Sequence, residues 1–169
     1  MSVIIREAVP KDAAELVKFV TTLLEGSESF LEMAKGEFTL TVGEEEKFIQ
    51  DCRKSENSIF IVAEKSGEII GSLICVGSER IRIKHNTVLG MSVMEKYRNQ
   101  GIGSQLLEYV ITWAKKTKIV KRIELHVFKT NVRAIHLYRK YGFKIEGEKQ
   151  NALKVNDKYI NEYIMALSI

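Results

Sequence analysis

The residues of this chain whose types and spacing most plainly suit chemistry lie in one short stretch. In Gly90-Met91-Ser92-Val93-Met94-Glu95-Lys96-Tyr97-Arg98-Asn99-Gln100-Gly101-Ile102-Gly103-Ser104, a β-rich run passes through a short loop into a helical pattern. Gly101 and Gly103 remove side chains where that helix begins. The N–H groups of a first helical turn have no acceptor a turn earlier, and they carry the positive end of the helix dipole. Arg98 sets a full charge beside them. Such a cradle suits an anion, and most naturally a diphosphate. Glycines at a helix start also serve close packing of helix on sheet. The spacing is not that of a P-loop, which needs Gly-Lys-Ser/Thr. Nor is it a Rossmann fingerprint, because the preceding strand does not open a βαβ nucleotide half.

A second segment follows the next strand: Asn131-Val132-Arg133-Ala134-Ile135-His136-Leu137-Tyr138-Arg139-Lys140-Tyr141-Gly142-Phe143. Read alone, Tyr138 is as well explained as a core aromatic, since Ala134, Leu137, Tyr138 and Tyr141 share one helix face. Taken together, the two segments resemble the GNAT superfamily of N-acetyltransferases. Arg98, Gly101 and Gly103 match its Arg/Gln-x-x-Gly-x-Gly/Ala signature. Asn131, Ala134, Leu137, Tyr138, Gly142 and Phe143 match its Asn-x-x-Ala-x-x-Leu-Tyr-x-x-x-Gly-Phe pattern.

The resemblance implies acetyl-CoA as cosubstrate and assigns roles. The pyrophosphate would rest on the backbone of Arg98, Asn99, Gln100, Gly101, Ile102, Gly103 and Ser104. The pantetheine arm would run beside Met91, Ser92 and Val93 as an added strand does, next to a bulge that Gly90 would permit. An N–H of that segment would hold the developing oxyanion. Asn131 and Ala134 would contact the cofactor, and Asn131 would also fix the start of its helix. Tyr138 would be the catalytic residue, giving a hydrogen bond or proton to the departing thiolate.

The same resemblance implies a primary amine as acceptor: a small amine, an amino acid or a protein N-terminus. The amine would attack the thioester directly, through a tetrahedral intermediate. An amine must first lose a proton, and Glu124, Glu28 and Glu32 are the candidate carboxylates to take it. Glu28 and Glu32, with Glu25, also suit a wall that attracts a cationic acceptor. Cys52 and Cys75 lie outside the motif, which disfavours a covalent acetyl-cysteine route. A CoA-binding regulatory module without catalysis is the alternative reading.

These segments need elements to hold them. The pattern predicts a strand over Val3–Val9 and a helix from a capping box of Asp12 and Glu15 to about Glu25. An irregular stretch, Gly26 to Leu40, follows. A second capping box, Thr41 and Glu44, starts another helix. Strands are expected at Ser58–Glu64, Ile69–Val76 and Thr87–Val93, the first two joined through a turn at Lys65-Ser66-Gly67-Glu68. Then come a long helix from near Gly101, a strand Arg122–Phe128, a helix Val132–Tyr141 ended by Gly142, and strands Phe143–Glu148 and Tyr159–Leu167. The order is β-α-α-β-β-β-α-β-α-β-β. The class is α/β or α+β, and the resemblance implies a mostly antiparallel sheet with helices on both faces.

Composition sets the outer bounds. At 169 residues, with 45% hydrophobic and 28% charged, the chain suits a single domain over 1–169 with a core of its own. Lys and Arg number 26 against 22 Asp and Glu, a net charge of +4. That excess fits a small anionic ligand, whereas a nucleic-acid partner calls for a longer basic stripe. The cluster Lys115, Lys116, Lys118, Lys121 and Arg122 reads as the solvated end of a helix. Cys52, Cys75, His85, His126 and His136 lack metal-ligand spacing, so no metal is expected. No apolar run approaches the roughly 18 residues of a membrane span, and Met1 to Val9 does not read as a signal peptide. The expectation is a cytoplasmic protein that binds neither membrane nor nucleic acid. A homodimer stays open.

Overall fold

A computed structural model describes residues 2–26 and 30–169 of the chain. Its elements are β1 (Ile4–Glu7), α1 (Ala13–Glu25), α2 (Val42–Lys54), β2 (Ile59–Lys65), β3 (Glu68–Gly77), β4 (Asn86–Val93), α3 (Ile102–Thr117), β5 (Arg122–Phe128), α4 (Val132–Lys140), β6 (Lys144–Val155) and β7 (Lys158–Ser168). The expected order of elements is the observed one. Among the described residues the strands form one seven-stranded sheet, β1-β2-β3-β4-β5-β7-β6. β4 and β5 run parallel, and the other ladders are antiparallel.

Each face of the sheet packs part of its area against its own helices. Toward α3 and α4 it turns Leu73, Cys75, Leu89, Ile123, Leu125 and Met165, which pack on Leu106, Leu107, Val110 and Tyr138. On the opposite face, Val62 and Ile69 meet Leu16 and Phe19 of α1 and Ile49 of α2. Strand residues alternate between the two faces, so each strand residue's number fixes the side on which it acts. Both hairpin turns have the left-handed backbone that two-residue loops require: Ser66 and Gly67 at φ 55 and 83, and Asn156 and Asp157 at φ 48 and 59. Gly142, at φ 90, closes α4 as expected.

Three expectations are corrected. The Asp12–Glu15 capping box does not form. The Asp12 carboxylate instead accepts from Arg6 Nη1 and Nη2 at 2.7 and 2.9 Å and from the Val9 N–H at 2.8 Å. Arg6 also binds Glu64 on β2, and a bidentate guanidinium outcompetes a helix N–H for the carboxylate. The Thr41–Glu44 box does form: Thr41 Oγ1 accepts from the Glu44 N–H, and Glu44 accepts from the Thr41 N–H. Second, β4 carries no bulge against β3; their register runs unbroken from Gly71↔Val93 to Gly77↔Thr87. Third, β6 continues to Val155 rather than stopping near Glu148. Its register against β7 shifts between Lys149 and Leu153, and Asn151 takes φ 52 there. That irregularity breaks the two-residue alternation by which a strand is read from sequence.

Burial pushes the Asp12 carboxyl up, but Arg6 and the Val9 N–H together hold it below the ordinary carboxylate range. A group so lowered adds stability at pH values above its unfolded pKa, and that stability is lost as pH falls through the native value. Asp12→Asn is therefore expected to cost about 2 kcal/mol at neutral pH. The gap to wild type should close in acid, as urea denaturation at several pH values would show.

Candidate active site

The parallel ladder between β4 and β5 runs only from Asn86↔Arg122 to Leu89↔Leu125. Beyond it, β4 stays paired to β3 through Val93, and β5 stays paired to β7 through Phe128. The two strands part from each other. A cleft of about 890 Å³ occupies the gap, lined by Gly90–Val93 on one side and His126–Phe128 on the other. Met91, Val93 and Tyr138 belong to the α3–α4 side. Gly90, Ser92 and His126 alternate to the opposite face. The cleft thus passes through the sheet and opens on both sides.

Its α3 end has the geometry of an anion cradle. Asn99 and Gly101 both have left-handed backbone, φ 60 and 80. The first helical bond of α3 is donated by Gln105 to the Gly101 carbonyl at 3.1 Å, which leaves the N–H groups of Ile102, Gly103 and Ser104 at the helix's positive end. Arg98 Nε donates to the Val93 carbonyl at 3.1 Å, tying the loop to the end of β4. Gly103 has a packing reason as well: a Cβ there would stand 2.9 Å from Leu137 Cδ2 of α4. Arg98, Asn99, Gly101, Ile102, Gly103 and Ser104 all line the cleft. Gln100 does not share that lining; its side chain turns back to donate to the Lys96 carbonyl at 3.0 Å. Sequence reasoning passed over Arg133, His136 and Lys140, which line the cleft from α4. Their spacing of three and four residues marks one helix face and was the signal available.

Asn131 caps α4, its side chain accepting from the Ala134 N–H at 3.2 Å. Tyr138 lies one turn past Ala134 with its ring 5.6 Å from that of Phe143. It is 5% exposed, yet it lines the cleft. Its hydroxyl has no hydrogen-bond partner among the described residues. Burial, with a smaller contribution from Cys75, pushes the phenol above its ordinary pKa. It therefore stays a neutral O–H donor at any ordinary pH. Core aromatic and cleft-lining residue are one and the same here. Burial also raises both thiols, that of Cys52 to about 11.

The opposite face holds a polar cluster built from separate strands. Lys149 Nζ of β6 lies 3.0 Å from His126 Nδ1 and 3.1 Å from Glu162 Oε2 of β7. An ammonium only donates, so Nδ1 accepts and the imidazole proton sits on Nε2, which faces Glu124 Oε1 at 3.4 Å. Glu162 is 3% exposed and shares the charge of Lys149. Glu32 joins the cluster: ligand atoms of Glu32, His126 and Glu162 lie within 4.8 Å of one another. Glu124 is bonded by Arg122 at 2.9 Å and stands off the cleft lining. Glu28 lies outside the described residues. Beside Glu32, Phe30 packs edge-on to Phe128 at 6.0 Å.

Gly103→Glu tests the cradle. The new side chain displaces the flexible tip of Leu137 and sets a carboxylate at the helix N-terminus. The expected result is at least a tenfold loss of CoA affinity by calorimetry (about 1.4 kcal/mol), with a melting temperature within a few degrees of wild type.

Comparison with known proteins agrees with this geometry. The family model described as "Acetyltransferase (GNAT) family" matches residues 27–143. The L-amino acid N-acetyltransferase AaaT of Escherichia coli (strain K12) is 36% identical over 106 residues, 63% of this chain and 65% of that protein. An N-alpha-acetyltransferase of Sulfurisphaera tokodaii is 32% identical over 105 residues, 57% of this chain and 63% of that protein. The chain thus spans just under two thirds of the length of these relatives. The crystal structure of an acetyltransferase of the GNAT family from Streptococcus pneumoniae superposes with a TM-score of 0.95 at 36% identity, covering 99% of each chain. With more than half of its length matched by the family model, and with the cradle, the parted strands and the order of elements in place, the chain belongs to the GNAT family of acetyltransferases.

Proposed function

We propose that this protein transfers the acetyl group of acetyl-CoA to a primary amine, with the amine attacking directly. The observation that carries the reading is the cleft through the sheet. It has an anion cradle and a neutral buried phenol on one face and a carboxylate–imidazole cluster on the other. Relatives named for an L-amino acid and for α-amino groups support an amine acceptor. Acetyl-CoA, when bound, supplies a thioester carbonyl and a thiolate leaving group.

The residues fit that ligand. The N–H groups of Ile102, Gly103 and Ser104, with Arg98, bind the diphosphate. The free edge of β4 from Gly90 to Val93 offers main-chain groups to an extended arm, as a sheet edge does to an added strand, and an N–H of this edge stabilises negative charge on the carbonyl oxygen. Tyr138 donates its hydroxyl proton, or a hydrogen bond, to the thiolate. On the far face, Glu32 draws in the protonated amine. The amine's proton leaves toward the Glu32–His126–Glu162 cluster, directly or through water.

Tyr138→Phe keeps the packing on Phe143 and deletes the hydroxyl. Turnover is expected to fall on the order of 10²-fold, with CoA affinity and melting temperature nearly unchanged. A variant as fast as wild type would return Tyr138 to a packing role. Because burial raises the phenol, the wild-type pH–rate profile should climb as the amine deprotonates and show no decline up to about pH 10, the ordinary tyrosine pKa. Glu32→Gln should raise the acceptor KM several-fold at low salt and less at high salt, leaving that for acetyl-CoA unchanged.

A further inference from the structure

The cleft runs on past the reacting end along the open face of β3 and β4. Ile74, Val76 and Val88 line it there. Val76 and Val88 face each other in register, yet they are 42% and 43% exposed. From Ser92 to Val88 the strand covers about 13 Å at ~3.3 Å per residue. A free amino acid occupies only the first part of that length, whereas an extended chain of three or four residues occupies all of it.

Charge sorts the two ends. Glu32 carries no ion pair among the described residues, and it converges with His126 and Glu162, so the reacting end favours an ammonium. The cations bordering this face are held by carboxylates: Arg122 by Glu124 and Glu146, Lys149 by Glu162. A free carboxylate next to the amine would meet Glu32 and find these cations engaged. The Phe30–Phe128 edge pair beside the cluster offers apolar surface to the first side chain.

Resting on the proposed acetyl transfer, we infer that the acceptor is the N-terminus of a polypeptide with an apolar first residue, laid extended over Ile74, Val76 and Val88. The α-ammonium sits at Glu32 beside His126, the first side chain sits on Phe30 and Phe128, and the following residues cover the exposed valines.

The test compares Leu-Ala-Ala amide, leucinamide, free leucine and spermidine by initial rates, and by calorimetric binding in the presence of unreactive CoA. The tripeptide is expected to exceed leucine and spermidine at least tenfold in kcat/KM and to bind most tightly. Val88→Lys should lower the tripeptide-to-leucinamide ratio about tenfold, and Val76→Lys should do the same. Leucine or spermidine matching the tripeptide, or either variant lowering tripeptide and leucinamide equally, would overturn the inference and leave acetyl transfer standing. Tight tripeptide binding with no acetylation of any amine would leave the groove standing and overturn the proposed reaction. Neither binding nor turnover overturns both.

Discussion

The parting of β4 and β5 is the constraint on which the rest of the molecule depends. A parallel pair that stops after Leu89 and Leu125 leaves two strand edges facing each other across open space. Their N–H and C=O groups cannot be left dry and unpaired without cost, so the gap must hold water or a ligand that pairs as a strand does. The connections keep it open. β4 is anchored by its ladder to β3, by the Met94 N–H on the Ile70 carbonyl at 2.9 Å, and by Arg98 on Val93. β5 is anchored to β7. Each strand then leads into a helix, α3 or α4, and those helices meet beneath the gap where Gly103 lets Leu137 approach.

The same parting separates two chemical environments by the thickness of one sheet. On the α3–α4 side Tyr138 sits among Cys75, Leu73 and Phe143, where ionising a phenol is costly and the hydroxyl stays protonated, a hydrogen-bond donor. On the other side the cluster of His126, Glu162, Lys149 and Glu32 is polar, partly exposed and rich in acceptors. A single-sided pocket would bring a buried proton donor and proton-accepting carboxylates into contact, where they would bond to each other. Here the cleft is their meeting place and the sheet keeps them apart.

Much of this was legible in the sequence because local chemistry dictated it. Gly101 at a left-handed helix entry, Asn131 as a cap, Gly142 as a stop and Ser66-Gly67 as a hairpin turn each follow from backbone demands met by one or two residues. A bulge was expected in β4, but its ladder to β3 is unbroken and the strands part without one. No single residue encodes the parting; it results from where α3 and α4 take the chain next. Asp12 escaped because its partner Arg6 is itself held by Glu64 of β2, 52 residues further along the chain than Asp12. The polar cluster escaped for the same reason. His126, Lys149 and Glu162 come from β5, β6 and β7, and only the strand order β5-β7-β6 brings them side by side. Glu124, two residues from His126 and on the same face, is neutralised by Arg122 instead.

That cluster also explains why a buried carboxylate is tolerated behind the wall of the cleft. Glu162, nearly inaccessible, would be destabilising without a partner. Lys149 reaches it from the neighbouring strand, and by donating to His126 Nδ1 it also fixes which imidazole nitrogen keeps the proton. Lys149 lies at the foot of the irregular β6 segment, where Asn151 turns to left-handed backbone and the ladder to β7 slips. The ladder also shifts before Lys149, between Ile145 and Gly147. Between the two shifts Gly147, Glu148 and Lys149 pair in register with Ile164, Tyr163 and Glu162, and that short regular run sets Lys149 opposite Glu162. A charged cluster whose members share a face but no segment of sequence depends on it.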